Sequence, residues 1–136
     1  MSSLKVFANR INRLADKVEK NTASLIQDVG YSVLSRVVYD TPVDTGRARA
    51  NWLVNLGSSN SHSTTQKDLN GHSTIAKGSD TIGRYKYGEV VYITNNVDYI
   101  VKLDNGWSQR WQPEAGYVGR SIQAGLYTVN MSILNK

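Results

Sequence analysis

Apolar side chains recur every three or four positions through the first forty residues of the chain. This spacing matches the period of an α-helix and predicts one helix over about residues 3–39. Such a helix would be roughly 50 Å long, well beyond the about 30 Å core of a domain of this size, so part of it should project or pack on another subunit. The stripe consists of Leu4, Phe7, Ile11, Leu14, Val18, Leu25, Val29, Val33 and Val37.

In the second half of the predicted helix, apolar residues fall on more than one face. They are Leu25, Ile26, Val29, Val33, Leu34, Val37 and Val38. One face can cover a sheet within the protomer. The other would be exposed in a monomer, and exposed apolar patches usually mark contacts. We therefore predict that Ile26 and Leu34 contact a neighbouring subunit.

The predicted helix ends at residues 41–49 (TPVDTGRAR), which lead into strand-like sequence. Pro42 disfavours helical geometry at the preceding residue and lacks the backbone donor that a helix interior needs. The carboxylate of Asp44 can accept backbone N–H groups, and Gly46 can adopt a positive φ angle. We predict that these three residues form a structural corner together with Thr45.

Apolar and polar residues alternate partly after the corner, so residues 41–57 should contain the corner and one strand, with Trp52 as a core anchor. Residues 58–82 are mostly small and polar and lack the apolar surface for a core of their own. We predict that they form an extended polar loop, poorly packed in an isolated protomer and ordered by a partner.

The last third of the chain again has helix and strand patterns. Residues 83–112 predict strands, a short helix and an aromatic loop, and residues 113–136 predict a terminal amphipathic helix. Trp107 and Trp111 lie in the aromatic loop and are predicted inter-subunit contacts, because aromatic residues often anchor interfaces. The chain should therefore form a single α+β domain, with an antiparallel sheet packed by a long N-terminal helix and a C-terminal helix.

Composition narrows the functional classes. The chain has 136 residues, no cysteine and a formal net charge of +5. The absence of cysteine excludes disulfides and thiolate metal sites. No apolar run approaches the about 20 residues that a membrane helix needs, so no membrane partner is expected. Since the N-terminus does not read as a signal peptide, synthesis in the cytoplasm is expected.

Candidate catalytic chemistry is sparse. Residues 44–46 (DTG) match the triplet that carries the catalytic carboxylate of aspartic proteases, and a dimer would supply the required second carboxylate. The long preceding helix is foreign to that class. His62 and His72 lack a third partner in metal-ligand spacing. We expect no enzymatic activity, no cofactor and no metal.

A nucleic-acid-binding module is the main alternative from another class. Basic residues alternate with aromatic ones at residues 84–87 (RYKY), and Arg110 precedes Trp111, so both segments could stack on bases and pair with phosphates. The positive charge is nevertheless spread along the chain, with no run of Lys or Arg that reads as a binding tail.

Three segments together resemble the small neck and tail-completion proteins of tailed bacteriophages. The first is the long helix leading into residues 41–49 (TPVDTGRAR). The second is residues 91–99 (VYITNNVDY), and the third is residues 103–106 (LDNG) before a loop and a terminal helix. Ile100 and Asp104 replace the Ala and Glu that are usual in that family, and its Gln-Ala-Pro-x-Gly loop is matched only loosely at residues 111–116.

The resemblance implies a structural virion protein at the head–tail junction, made in the host cytoplasm. Such proteins form homo-oligomeric rings, commonly hexamers, between the portal-side neck and the tail tube, as neck, tail-completion or tail-terminator components. Their partners are the neighbouring neck and tail-tube proteins and the double-stranded DNA that passes without sequence-specific binding. The family has no enzymatic activity.

Overall fold

A computed structural model describes residues 3–106 and 115–134, with side chains described over residues 8–106 and 115–127. The chain belongs to the α+β class, as predicted, and has a long N-terminal helix, a small antiparallel sheet and a C-terminal helix. In chain order, the elements are α1 (Ser3–Asp40), α2 (Arg47–Ala50), β1 (Trp52–Leu56), α3 (His72–Gly83), β2 (Val91–Asn95), α4 (Ile100–Asp104) and α5 (Tyr117–Leu134).

The two strands pair antiparallel, so that Trp52 lies opposite Asn95 and Leu56 opposite Val91. Alternate side chains of a strand point to opposite faces. One face of the sheet carries Trp52 and Val54, which pack toward α1 and α3 and form part of the core. Its deepest members are Leu34, Val37, Val38, Trp52 and Ile82.

The C-terminal helix α5 packs along the second half of α1. The Ser121 hydroxyl donates to Asp40 Oδ2 at 2.7 Å, and the Ser32 hydroxyl donates to the Gly125 carbonyl at 2.8 Å. Along α5 from Ser121 to Gly125, the contacts on α1 move back from Asp40 to Ser32, so the two helices run antiparallel. Gly125 permits the close approach, since a Cβ there would lie 3.0 Å from the Cα of Val33.

The first half of α1 extends beyond this body. Every residue from 8 to 21 is exposed. The apolar stripe of this half remains uncovered: Ile11 is 50%, Leu14 62% and Val18 53% exposed. The predicted projection of the helix is therefore confirmed. No helix in the described residues is both long enough and apolar enough to cross a membrane.

The predicted polar loop over residues 58–82 is wrong in its second half, because residues 72–83 form α3. Only Ile75 and Ile82 give this helix an apolar stripe. The rest of its buried face consists of Thr74 and Gly78, whose small size allows α3 to lie directly on Leu34. A face built from small residues gives a weak hydrophobic signal, although it packs closely.

Three further predictions need correction. Leu34 does not contact a neighbouring subunit, because it is 0% exposed within the protomer's own core. The strand-like stretch after the corner starts later than its alternation suggested, since residues 47–50 form the short helix α2. Within the described residues of the last third, β2 is the one strand, where several were predicted. Trp107 and Trp111 lie outside the described residues.

The contact of α3 with the core predicts the effect of adding one methyl group. A Cβ at Gly78 would lie 2.8 Å from Val54 Cγ2 and closer still to Leu34 Cδ2. We expect Gly78→Ala to lower the free energy of unfolding by about 1–3 kcal/mol, because overpacking outweighs the better helix propensity of alanine. Chemical denaturation measures this change.

Gly119 in α5 is the matched control, because a Cβ there would have no neighbour within 4 Å. Gly119→Ala should raise the free energy of unfolding by up to about 1 kcal/mol. If Gly78→Ala stabilised the protein as much as Gly119→Ala, the close packing of α3 described above would be contradicted.

Candidate functional site

The predicted corner is the place where α1, the sheet and α5 meet. Thr41, the residue after α1, is 1% exposed, and its hydroxyl donates to the Val37 carbonyl at 2.6 Å. The same oxygen accepts the indole N–H of Trp52 at 2.7 Å and lies 3.4 Å from the hydroxyl of Tyr117, which donates to it. One side chain thus joins the end of α1 to the start of β1 and the start of α5.

Tyr117 is suited to act as a donor in this cluster. It is 4% exposed, and this burial raises the pKa of its phenol; the hydrogen bond with Thr41 acts against this rise, and the charges of Asp104 and Asp40 add to it. The phenol therefore keeps its proton at physiological pH. Trp52 carries the other donor, and its indole would have a buried N–H without an acceptor if Thr41 lacked a hydroxyl.

Arg49 in α2 closes the end of α1. Its guanidinium donates to three carbonyl oxygens: Tyr39 at 2.8 Å, Thr41 at 3.0 Å and Leu69 at 2.9 Å. The last carbonyls of a helix lack partners within it, and a cation at this end also favours the helix dipole. Arg49 therefore satisfies the end of α1 and fixes the loop before α3 against it.

Gly46 makes a close approach that only glycine permits. Its φ angle is +86°, as the predicted positive value required, and a Cβ there would lie 2.8 Å from the backbone nitrogen of Asp68. The Gly46 carbonyl accepts N–H groups from Asp68 and Ala50, both at 3.0 Å. The corner and the loop before α3 are therefore joined backbone to backbone.

The other predicted corner residues have different environments. Pro42 is buried, and α1 ends at Asp40, just before Thr41 and Pro42. Thr45 Oγ1 accepts the backbone N–H of Arg47 at 3.3 Å. Asp44 is exposed, and its predicted capping role stays a prediction.

Asp68 is the carboxylate that caps a helix in this region. It accepts the Thr74 N–H at 2.8 Å, the Thr74 hydroxyl at 2.7 Å and the Gly71 N–H at 3.1 Å. Burial alone would raise its pKa, but the hydrogen bonds from Thr74 and Gly71 together lower it below the ordinary value of an aspartate. The charged form of Asp68 therefore holds the first turn of α3.

The polar segment between β1 and α3 is pinned by side-chain amides rather than by apolar contacts. Asn51, which is 0% exposed, accepts the Thr64 N–H at 2.8 Å and donates to the Thr64 carbonyl at 3.0 Å. Asn96 donates to the carbonyls of Asn60 and His62 at 2.6 and 3.2 Å. These bonds contradict the prediction that the whole of residues 58–82 is poorly packed in one protomer.

The corner therefore acts as a structural joint. Arg49 donates to the Thr41 carbonyl, and Asn51 donates to the carbonyls of Arg47 and Thr64, so their polar groups are used within the joint. His62 and His72 are exposed, and within the described residues no three His, Asp or Glu side chains cluster as metal ligands would. The exposed surface includes the projecting half of α1 and the edges of the small sheet.

Sequence reasoning missed Arg49, Asn51 and Asp68. Asn70 and Asp68, just before Gly71, formed an N-terminal helix signal that could have located α3, because Asp and Asn favour positions that cap a helix. The Asn70 Oδ1 atom in fact accepts the backbone N–H of His72 at 3.0 Å. No comparable local signal marks Arg49 or Asn51, because their partners lie up to twenty residues away.

The Thr41 cluster predicts a clear cost for removing one hydroxyl. Thr41→Val keeps the shape of the side chain but leaves the Trp52 indole N–H buried without its acceptor. We expect the free energy of unfolding to fall by about 1–3 kcal/mol in denaturation experiments. Thr22→Val is the matched control, since the Thr22 hydroxyl makes the same kind of bond, to the Val18 carbonyl, at an exposed site. An equal effect of both changes would refute the role given to Thr41.

The Asp68 cap predicts a pH dependence of stability. Because the folded-state pKa lies below the unfolded value of about 3.9, Asp68 stabilises the fold above that value and loses this contribution as the pH falls through the folded pKa. Asp68→Asn should therefore reduce the difference in unfolding free energy between pH 7 and pH 2. Thr74→Val, which removes one of the three donors, should reduce it by less. An unchanged pH profile in Asp68→Asn would contradict the cap.

Comparison of the chain with protein-family models, with curated proteins and with solved structures finds no match. The contacts described above and the resemblance of the three sequence segments are therefore the observations that bear on function. The stripe of Ile11, Leu14 and Val18 on the projecting half of α1 is exposed, whereas the joint around Thr41 is buried.

Proposed function

We propose that this chain is a structural virion protein of a tailed bacteriophage, and that its copies form a ring at the head–tail junction. In this role the ring links the portal-side neck to the tail tube and forms part of the DNA conduit. The observation that carries the proposal is the projecting half of α1, whose apolar stripe has no cover within the described protomer.

The stripe has the spacing of a helix-packing surface. Ile11, Leu14 and Val18 follow one another by three and four residues, and Leu25, which is 40% exposed, continues the stripe seven residues later. This is the pattern that packs one helix against another. An isolated helix segment without tertiary packing is also marginal in water, so a covering partner would stabilise it.

The joint supports the proposal in a second way. A closed ring needs a constant angle between the surfaces that one subunit offers to its two neighbours. The Thr41 cluster and the Arg49 fork fix the end of α1 to the sheet, so the projecting half leaves the body in one direction. The resemblance to phage proteins includes this same segment, residues 41–49.

Charge favours a conduit over a nucleic-acid binder. The net charge of +5 is modest. The projecting half of α1 carries charges of both signs, because the acidic residues Asp16 and Glu19 lie close to its lysine and arginine residues. A strongly basic lining would hold phosphates and slow the passage of a duplex. The nucleic-acid-binding alternative predicts an affinity for duplex DNA that falls steeply with salt, whereas a conduit protein should bind DNA weakly at all salt concentrations.

The remaining predicted contacts stay predictions. Ile26 is half-buried, near the point where α1 leaves the body, and it can border an interface without carrying the core. Trp107 and Trp111 are proposed to contact the next subunit or the adjacent ring.

The projecting stripe predicts a separation of assembly from folding. Leu14→Asp and Val18→Asp place a charge on exposed apolar positions, so the circular dichroism spectrum and melting temperature of the isolated protein should change little. Ring formation, followed by analytical ultracentrifugation, and incorporation into phage particles should be lost. A charge buried at a packed helix contact without a partner costs several kcal/mol.

Asn12→Asp is the control, because it adds the same charge at an exposed position off the stripe. It should assemble like the unaltered protein. If Leu14→Asp and Val18→Asp variants still form rings and complement a phage that lacks this protein, the projecting stripe is not an assembly surface and the proposal fails.

A further inference from the structure

The outer edge of β1 in the two-stranded sheet has no strand partner within the described residues. The ladder ends with Leu56 opposite Val91, so the next opposite pair is Gly57 and Val90. The Gly57 N–H donates to the Val90 carbonyl at 2.8 Å, so this is a hydrogen-bonded pair. In an antiparallel ladder every second residue bonds to the neighbouring strand. Residues 53 and 55 therefore bond toward β2, whereas Trp52, Val54 and Leu56 direct their backbone groups to the opposite edge. Within the described residues, no other backbone group pairs with that edge.

A groove follows this free edge. It has a volume of about 260 Å³, and its lining includes residues 52–55 of β1 but no residue of β2. Side chains of successive strand residues point to opposite faces, so a cavity lined by four consecutive ones must approach the strand from its edge. The groove therefore lies beside the unpaired backbone groups.

The other walls of the groove are fixed. Thr74, Lys77 and Gly78 of α3 line one side, and Asn60 and Thr64 line the other. The loop wall is held by Asn51 and Asn96, as described above, and α3 is held by its contact with the core. A pre-formed groove lowers the entropic cost of binding an extended segment.

The groove carries positive charge. Lys67 and Lys77 line it, and both are exposed. The Lys77 ammonium donates to the Gln66 side chain at 3.3 Å and has two further N–H groups to offer. The only carboxylate in the lining belongs to Asp68, whose oxygens are already engaged by Thr74 and Gly71.

We propose that this groove binds an extended segment of a partner polypeptide that carries an acidic side chain, by addition of a third strand to the free edge of β1. The backbone groups of Trp52, Val54 and Leu56 supply the ladder, and Lys67 and Lys77 select the acidic side chain. Strand addition of this kind combines main-chain hydrogen bonds for affinity with side-chain pockets for specificity. The inference does not depend on the proposed function.

Charge also indicates that the occupant is not the same edge of a second copy. Two β1 edges paired about a two-fold axis would bring Lys67 and Lys77 of both copies to one continuous groove. Like charges in close contact are unfavourable, so this pairing is disfavoured relative to an acidic strand.

The test uses a capped heptapeptide of alternating valine and threonine with a central glutamate, added to the ¹⁵N-labelled full chain. Amide shifts should concentrate at Trp52, Val54 and Leu56 and be smaller at residues 53 and 55. The same peptide N-methylated on its ladder-forming residues should bind at least about tenfold more weakly, because it cannot donate to the edge.

Two pairs of variants localise the site. Ser73 lines the groove, whereas Ala76 on α3 does not, and both are exposed. Ser73→Trp should fill the groove and weaken binding at least about tenfold, whereas Ala76→Trp should leave it unchanged. Combining Lys67→Glu with Lys77→Glu should reverse the preference, so that a lysine-centred peptide binds more tightly than the glutamate-centred one.

Several outcomes would overturn the proposal. One is the absence of amide shifts at Trp52, Val54 and Leu56 at millimolar peptide. Another is equal binding of the N-methylated peptide. Concentration-dependent shifts at these amides without peptide, together with a dimer in ultracentrifugation, would assign the edge to a second copy instead. None of these results bears on the stripe of α1, so the proposed function would stand or fall separately.

Discussion

A single buried hydroxyl group, on Thr41, lies where the first helix, the sheet and the last helix meet. It donates to the helix end at Val37 and accepts from Trp52 and Tyr117. Buried polar groups are costly unless they are paired, so this cluster tolerates only an arrangement in which all three elements are in place. The angle between α1 and the body follows from that requirement.

Around Thr41, hydrogen bonds from polar side chains join neighbouring segments of the chain, where a larger protein would use apolar contacts. Arg49 holds three carbonyls, Asn51 holds both backbone groups of Thr64, and Asp68 holds the start of α3. A small domain has a small core. These hydrogen bonds therefore fix the polar segment between β1 and α3, which has almost no apolar side chains. The result is a compact body from which one helix projects and along which the β1 edge of the sheet stays unpaired.

The sequence predicted the parts of the fold that local patterns determine. The period of apolar residues located α1, Pro42 located its end, and Gly46 has the positive φ angle that its position in the corner required. The second half of the predicted loop over residues 58–82 and the interface role of Leu34 were wrong. Both errors arose because helix α3 was not predicted. Its buried face depends on small residues, and it packs over Leu34 in the core. Such packing depends on distant contacts that periodicity does not encode.

The central claim is that the Thr41 cluster fixes the folded body, whereas the first half of α1 has no covering contacts within the described protomer. Hydrogen exchange on the isolated chain, followed by NMR, tests this claim most directly. The indole N–H of Trp52 should exchange only through global unfolding, whereas the amides of residues 8–21 should exchange orders of magnitude faster, because an uncovered helix end frays. If residues 8–21 were protected as strongly as Trp52 in the monomer, or if the indole exchanged through local opening, the account would be contradicted.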